Sequence, residues 1–165
     1  KGHHRMIAAL PYILEKVPTA RLWIAGQGPD EATLRQLAKR LGVADRVEIR
    51  AIPPAERANM AAALAKVALV TLLSDYETHP IAALEALALG CPVLVTDTSG
   101  LRELATAGLA RMVPLVSTPS QVAAAVVAAL HQPLSPTTLQ LPTWDACAHK
   151  LWLLYQECMV REGNK

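Results

Sequence analysis

Aromatic residues and net charge are both scarce in this 165-residue sequence. It contains no phenylalanine, three tryptophans and three tyrosines, and 16 lysine and arginine residues against 14 aspartate and glutamate residues leave a formal charge of +2. Nucleic-acid-binding proteins typically concentrate basic residues on one surface and stack bases on aromatic side chains. Because the basic residues here are scattered and the aromatic residues few, we predict that no nucleic acid binds.

Cysteine is scarce as well, and long hydrophobic runs are absent. Cys91, Cys147 and Cys158 are odd in number and lack the spacing of metal ligands, which argues against a disulfide framework and a zinc site. Charged residues, proline or glycine interrupt the apolar segments often enough to exclude a membrane span, and peripheral association with a membrane is left open. We therefore predict a cytoplasmic protein that requires no metal and no cofactor.

The hydrophobic pattern predicts a single α/β domain over residues 1–165. Short β-branched or aliphatic runs alternate with segments of helical periodicity, as in a series of βα units. We predict a Rossmann-like parallel sheet of at least five strands with helices on both faces. The predicted strands are 21–25, 46–51, 68–73, 92–96 and 110–116, and the predicted helices are 2–17, 31–41, 52–67, one that ends at 90, 101–107 and 120–130.

The two ends of the sequence supply further expectations. The chain opens directly in a helical pattern and without an initiator methionine, which is typical of a piece of a longer protein. The α/β core is predicted over 1–132, a proline-rich surface connection over 133–142, and a last amphipathic helix over 143–162. The apolar side chains expected to dock this last helix are Trp144, Trp152 and Tyr155.

Two glutamates eight residues apart follow the third predicted strand. Ligands of parallel sheets bind at the carboxyl ends of the strands, so Glu77 lies where chemistry is expected, and Glu85 lies in the next helix. With Thr78 or His79 as N-cap, the free N–H groups of this helix can receive an anion. The two carboxylates can therefore bracket a ligand of several groups. Glutamate in the first turns of a helix is also favoured by the macrodipole, so the spacing alone leaves both interpretations open.

The run ETHPIAALEALALGCPV, residues 77–93, resembles a known motif. Two glutamates separated by seven residues, followed by Ala-x-x-x-Gly-x-Pro-Val, are typical of retaining glycosyltransferases with the GT-B fold. The segments KG, LWIAGQGP, LGVADRVEI and TSGLRELA also fall in the order seen in the carboxyl-terminal, donor-binding domain of family-four (group 1) enzymes. The resemblance covers nearly the whole chain.

This resemblance implies one Rossmann-like half of a two-domain, hexosyltransferase-like enzyme. It also implies that the first strand of this half lies upstream of Lys1, so we expect that strand to be missing from the sequence. Such an enzyme moves a sugar from a nucleoside diphosphate sugar to an acceptor with retention, and an amino-terminal domain of the same protein binds the acceptor. The isolated chain is therefore expected to be inactive. The motif implies catalytic roles for Glu77, on hydroxyls of the donor sugar, and for Lys1, which neutralises the diphosphate as it leaves. The motif also implies that Glu85 binds the ribose hydroxyls.

The sequence departs from the family pattern directly after the first glutamate. Thr78, His79 and Pro80 replace the usual Gly-Phe-Gly, and proline has no N–H to offer a phosphate. We expect the amides of His79, Ile81 and Ala82 to bind the diphosphate instead, and Thr78 and the His79 side chain to lie against the donor.

Two other loops carry predicted donor contacts. Gly26 forms a tight turn near the donor, and Ile52 and Pro53 flank the nucleobase with apolar contacts and backbone groups. Ala51 occupies a common glycine position of the family in this second loop. The sequence therefore does not predict which nucleobase binds. The alternative to a transferase is a non-catalytic sugar-nucleotide-binding or assembly module of the same fold. A GT-B phosphorylase or a nucleotide-sugar epimerase is a lesser rival.

Overall fold

A computed structural model describes residues 1–134 and 143–163, with side chains up to residue 159 in the last helix. Most of the proline-rich connection predicted over 133–142 lies outside these residues. Within them, short strands alternate with helices, as the sequence predicts. The strands are β1 (Leu22–Ile24), β2 (Val47–Ile49), β3 (Val70–Leu72), β4 (Val93–Asp97) and β5 (Arg111–Pro114). The helices are α1 (His3–Lys16), α2 (Glu31–Arg40), α3 (Arg57–Leu64), α4 (Ile81–Ala88), α5 (Ser99–Thr106), α6 (Pro119–His131) and α7 (Trp144–Gly163).

All strand pairs are parallel, and the described strands form two sheets. β1 pairs with β2, and β3, β4 and β5 pair in that order, so β5 is an edge strand as predicted. The predicted α/β class and its parallel strands are confirmed. The single sheet of five strands is not, because β1 and β3 do not pair with each other among the described residues.

The connections of the two sheets pack with different apolar clusters. The β1–β2 connection, α2, packs with α1, and α1 packs with α6. The β3–β4 and β4–β5 connections, α4 and α5, contribute to a separate apolar cluster on the other side. Crossovers between parallel strands are almost always right-handed, and right-handed crossovers on opposite faces add strands in opposite directions, so we expect β2 and β5 to lie farthest apart.

Two apolar clusters cover the two faces, and β4 contributes to both. The buried residues of α1 recur at the spacing of one helical face and belong to the first cluster; they are Met6, Ile7, Ala9, Leu10 and Ile13. Along β4, Leu94 belongs to this first cluster, whereas Val93 and Val95 belong to the second, with α4 and α5. Successive side chains of a strand point to opposite faces, so one strand joins the two clusters.

The first residues of two helices differ from the prediction, and proline explains both. The N-cap of α4 is Pro80, not Thr78 or His79. A residue that precedes proline is disfavoured in the α region, so His79 stays outside the helix. α3 begins at Arg57, and the two prolines predicted to open it lie in the loop before it.

The predicted docking of the last helix is wrong for the described part of the chain. Every described side chain of α7 is exposed, including Trp144, Trp152 and Tyr155. Trp152 stacks on His149 of the same helix, with ring centroids 5.7 Å apart. Among the described residues, no helix combines the length and the apolarity that a membrane crossing requires.

Gly2 sets the distance between α1 and the end of β3. It is the N-cap of α1 with φ of 73°, and a Cβ on it would lie 1.9 Å from the carbonyl oxygen of Leu73. Gly108 has nearly the same φ, 72°, but a Cβ there would meet nothing within 4 Å. The two positions therefore share the backbone conformation and differ in the space available.

We expect Gly2→Ala to lower the free energy of unfolding more than Gly108→Ala. The Gly108 substitution should cost about 1 kcal/mol, because alanine tolerates positive φ poorly. The Gly2 substitution adds a clash with backbone, which forces α1 away from β3. Urea denaturation of both variants measures the difference, and equal losses would show that the contact with Leu73 is not tight.

Candidate functional site

Glu77 lies in the loop that follows β3 and is nearly buried, at 8% exposure. Two side chains donate hydrogen bonds to the same carboxylate oxygen, Oε1. Lys1 Nζ lies 2.5 Å from it and Ser74 Oγ lies 2.9 Å from it. The lysine comes from the start of α1 and the serine from the end of the β3 segment. The structure therefore brings together Lys1 and Glu77, which are 76 residues apart in the sequence.

These contacts decide the charge and the accessibility of Glu77. Burial raises the pKa of its carboxyl, but the hydrogen bonds from Lys1 and Ser74 and the charge of Lys1 outweigh burial, so the pKa lies below the usual 4.5. The carboxyl is ionised at neutral pH. The second oxygen, Oε2, accepts no hydrogen bond from the described residues. Because no buried side-chain polar atom of those residues lacks a partner, Oε2 is not fully buried.

Residues 96–100, from the end of β4 to the start of α5, hold the loop that carries Glu77. The contacts run from side chains and one amide of this segment to the backbone of the loop, so they fix the path of the chain between β3 and α4. They are Thr96 Oγ1 to Ser74 O at 2.5 Å, Thr98 Oγ1 to Asp75 O at 2.9 Å, Glu77 N to Ser99 Oγ at 2.8 Å and Gly100 N to Glu77 O at 2.8 Å.

Glu85 has a different environment from Glu77. Its side chain, on α4, is 40% exposed, and Oε1 accepts a hydrogen bond of 2.9 Å from Arg57 Nη2. Arg57 is the first residue of α3 and its side chain is 80% exposed, so this ion pair contributes little to stability, about 0–1 kcal/mol. The sequence analysis missed Arg57, because no motif links α3 to the glutamate pair.

A pocket of about 380 Å³ opens between α4 and α5. It brings together four of the predicted substrate-binding residues, Thr78, His79, Ile81 and Glu85. Pro80, Leu84, Gly100, Glu103 and Leu104 complete its lining. Lys1, Glu77 and Ala82 do not line it. The two glutamates thus follow the same strand, but only Glu85 faces this pocket.

The remaining predicted residues lie on neighbouring loops. Gly26 follows β1, and Ile52 and Pro53 follow β2, so all three lie at carboxyl ends of strands, outside the pocket lining. The amide of Ile81, one of the predicted phosphate contacts, donates to His79 O at 2.9 Å, and its contact with a phosphate stays a prediction. No described residues form a group of three or more His, Cys, Asp or Glu side chains able to hold a metal ion.

Comparison with known proteins gives a family match over most of the chain. The family described as Glycosyl transferases group 1 matches residues 1–140. The chain is 36% identical over 108 residues to the GDP-mannose-dependent alpha-(1-6)-phosphatidylinositol monomannoside mannosyltransferase of Mycolicibacterium smegmatis, a match that covers 62% of this chain and 28% of that protein. The matches to the first curated relatives span 26% and 28% of their length.

Two solved structures share the fold. HepE of Anabaena, in complex with UDP, superposes with a TM-score of 0.65 at 23% identity, over 82% of this chain and 37% of that chain. The C-terminal domain of a glycosyl transferase group 1 family protein of Francisella tularensis superposes with a TM-score of 0.64 at 21% identity, over 80% of this chain and 70% of that chain. These likenesses show the fold, which is that of GT-B glycosyltransferases.

We expect the ionisation of Glu77 to contribute to the pH dependence of stability. Because the folded pKa lies below the unfolded one, the contribution is present above the unfolded pKa and is lost as pH falls through the folded pKa. Urea denaturation from about pH 3 to pH 7 should therefore show a loss of stability at the acid end that is smaller in Glu77→Gln.

A lysine substitution and its control isolate the cause of this effect. Lys1→Met removes a donor and a positive charge from Glu77, whereas Lys16→Met, in the last turn of α1, changes the net charge equally at a distance. Only Lys1→Met should reduce the loss of stability at acid pH. Identical profiles for the two lysine variants would contradict the assigned role of Lys1.

Proposed function

Because the chain belongs to the group 1 glycosyl transferases, we propose that it is the donor-binding half of an enzyme that moves a sugar from a nucleoside diphosphate sugar to an acceptor with retention. The mannosyltransferase relative is named for its dependence on GDP-mannose, and the Anabaena structure holds UDP. Both names support a nucleoside diphosphate group as the part of the donor that this domain holds. The transferred sugar is proposed to be a hexose.

The observation that carries the proposal is the state of Glu77. It is an ionised, nearly buried carboxylate with one oxygen held by Lys1 and Ser74, while the other oxygen is not fully buried and accepts no hydrogen bond from the described residues. In the proposed complex, Oε2 accepts a hydrogen bond from a hydroxyl of the donor sugar. The negative charge then stabilises the positive charge that develops on that sugar when its bond to the diphosphate breaks.

Lys1 is proposed to act on the leaving group. Its ammonium has three N–H donors, of which one contacts Glu77, and its side chain is 62% exposed. A diphosphate oxygen beside Glu77 can therefore accept from a remaining N–H. Its negative charge grows as the glycosidic bond breaks, so a fixed cation stabilises the transition state more than the bound donor.

Glu85 is proposed to hold the ribose. A carboxylate can accept two hydrogen bonds from a vicinal diol, and Arg57 on Oε1 restricts the orientation of the group. The amides of His79 and Ala82, near the start of α4, are proposed to contact the diphosphate, with Thr78 beside them. Gly26, Ile52 and Pro53 are proposed to lie near the nucleobase end of the donor. We propose no metal in this complex, because Lys1 and the helix amides supply positive potential.

The acceptor is proposed to bind an amino-terminal domain of the same protein, and the reaction to occur between the two domains. We propose a cytoplasmic location, which the three free cysteines support. One observation favours the alternative of a non-catalytic sugar-nucleotide-binding or assembly module. Pro80 has no N–H and the Ile81 amide is engaged, so fewer donors remain for a diphosphate at the start of α4.

We expect residues 1–165 alone to bind nucleoside diphosphates and to transfer no sugar. Binding needs the contacts of this domain, whereas transfer needs an acceptor held against the donor. Calorimetry with a panel of nucleoside diphosphates and their sugars measures the first, and product formation measures the second. Sugar transfer by the isolated chain would contradict the two-domain mechanism, and a full-length protein that binds donors without turnover would support the module.

We expect Glu85→Gln and Glu77→Gln to affect different steps in the full-length enzyme. Glu85→Gln should weaken nucleoside diphosphate binding by about 1–3 kcal/mol, because it loses charge-assisted hydrogen bonds to ribose. Glu77→Gln should leave that affinity nearly unchanged and lower turnover, because its proposed contacts are to the transferred sugar.

Glu103→Gln is the matched control for the glutamate variants. Glu103 lines the same pocket as Glu85 but has no proposed donor contact. Its variant should bind and turn over as the unmodified enzyme does. Equal losses of nucleotide affinity in the Glu77 and Glu85 variants, measured by calorimetry beside initial rates, would refute the division of roles.

A further inference from the structure

Ser99 has an unusual backbone conformation beside the candidate site. Its φ is 38°, and it is the one non-glycine residue with positive φ among the described residues. Residues with a Cβ rarely adopt this conformation, and when they do the strain is often found at functional sites. Glycine would adopt it without strain, yet the glycine of this turn is the next residue, Gly100. Serine rather than glycine at this position is therefore explained by its side chain and not by the backbone conformation.

The Ser99 hydroxyl bonds to the loop that carries Glu77. Its Oγ accepts the N–H of Glu77 at 2.8 Å. Ser99 is the first residue of α5, whose N-cap, Thr98, makes no side-chain capping hydrogen bond. The Ser99 hydroxyl thus serves the neighbouring loop, as does the hydroxyl of the N-cap, because Thr98 Oγ1 donates to Asp75 O.

The adjacent residue holds the other backbone group of Glu77. The Gly100 N–H donates to Glu77 O at 2.8 Å, and a Cβ on Gly100 would lie 2.5 Å from Thr78 O. Two consecutive residues therefore hold the N–H and the C=O of Glu77. Fixing both groups fixes the Cα–Cβ direction, and hence where the carboxylate points.

We infer that Ser99 is a positioning residue, whose hydroxyl holds the backbone of Glu77 so that Oε2 meets the donor sugar. The inference rests on the proposed function of Glu77. Ser99 makes no hydrogen bond to the carboxylate and is not itself a lining residue of the pocket. Its effect on catalysis passes through Glu77, and the strain at Ser99 is the cost of supplying the hydroxyl from this point.

Two substitutions separate the hydroxyl from the backbone conformation. Ser99→Ala and Ser99→Gly both remove the acceptor of the Glu77 N–H, but only glycine also relieves the positive φ. Ser99→Gly should therefore be the more stable variant in urea denaturation. Ser117→Ala is the control, because it removes a serine hydroxyl that bonds a backbone carbonyl, Pro114 O, in another loop.

In residues 1–165, hydrogen exchange of the Glu77 amide should be about fivefold faster in both Ser99 variants, as expected for the loss of one ordinary hydrogen bond. In the full-length enzyme, kcat should fall about fivefold or more in both, while the affinity for nucleoside diphosphate stays unchanged. Ser117→Ala should change neither quantity. A loss of kcat in the well-folded Ser99→Gly variant would not be explained by unfolding.

The outcomes distinguish this inference from the proposed function. Unchanged Glu77 exchange in Ser99→Gly, or an unchanged kcat in that variant, would overturn the positioning role. Faster exchange together with lower kcat supports it. A full-length wild-type protein without transferase activity would refute the proposed function directly, and the inference with it, whatever the exchange rates are.

Discussion

A carboxylate that is nearly removed from water needs donors and positive charge around it, and this requirement at Glu77 organises one end of the domain. The charge comes from Lys1, two residues before the first residue of α1, and the nearest hydroxyl comes from Ser74, just after β3. Lys1 reaches the carboxylate because α1 begins in close contact with the end of β3. The contact is so close that only glycine fits at position 2. The packing of a helix on a strand and the electrostatics of one glutamate are therefore linked.

The two glutamates of the motif meet solvent differently, and this follows from the elements that carry them. Glu77 belongs to a loop held between a strand end and the next loop, whereas Glu85 lies on a helix surface beside the exposed Arg57. Electrostatic interactions are stronger where water is excluded, so a charge at Glu77 affects its surroundings more than a charge at Glu85. A spacing of eight residues in the sequence thus produces two chemically distinct carboxylates.

Local patterns in the sequence predicted much of the fold and part of the site. Apolar periodicity gave α1, α2 and α6 to within one or two residues at each end, and continuous β-branched runs gave β3 and β4. The location of Glu77 after a strand and of Glu85 on the next helix was also predictable. The hydrogen bond from Glu77 to Ser99 and the ion pair of Arg57 with Glu85 were not, because they join residues 22 and 28 positions apart. Such contacts depend on how loops meet in three dimensions. The exposed face of α7 shows the same limit, since amphipathicity indicates a partner surface but does not identify it.

The alternation of β4 between the two apolar clusters bears on how the domain unfolds. Leu94 supports the cluster under α1, and Val93 and Val95 support the one under α4 and α5, so neither cluster can separate from the sheet without removing packing from this shared strand. The loop that holds Glu77 begins directly after the strand beside it, β3. Melting of the two faces is therefore coupled, and the geometry around the carboxylate is lost in the same cooperative transition as the core.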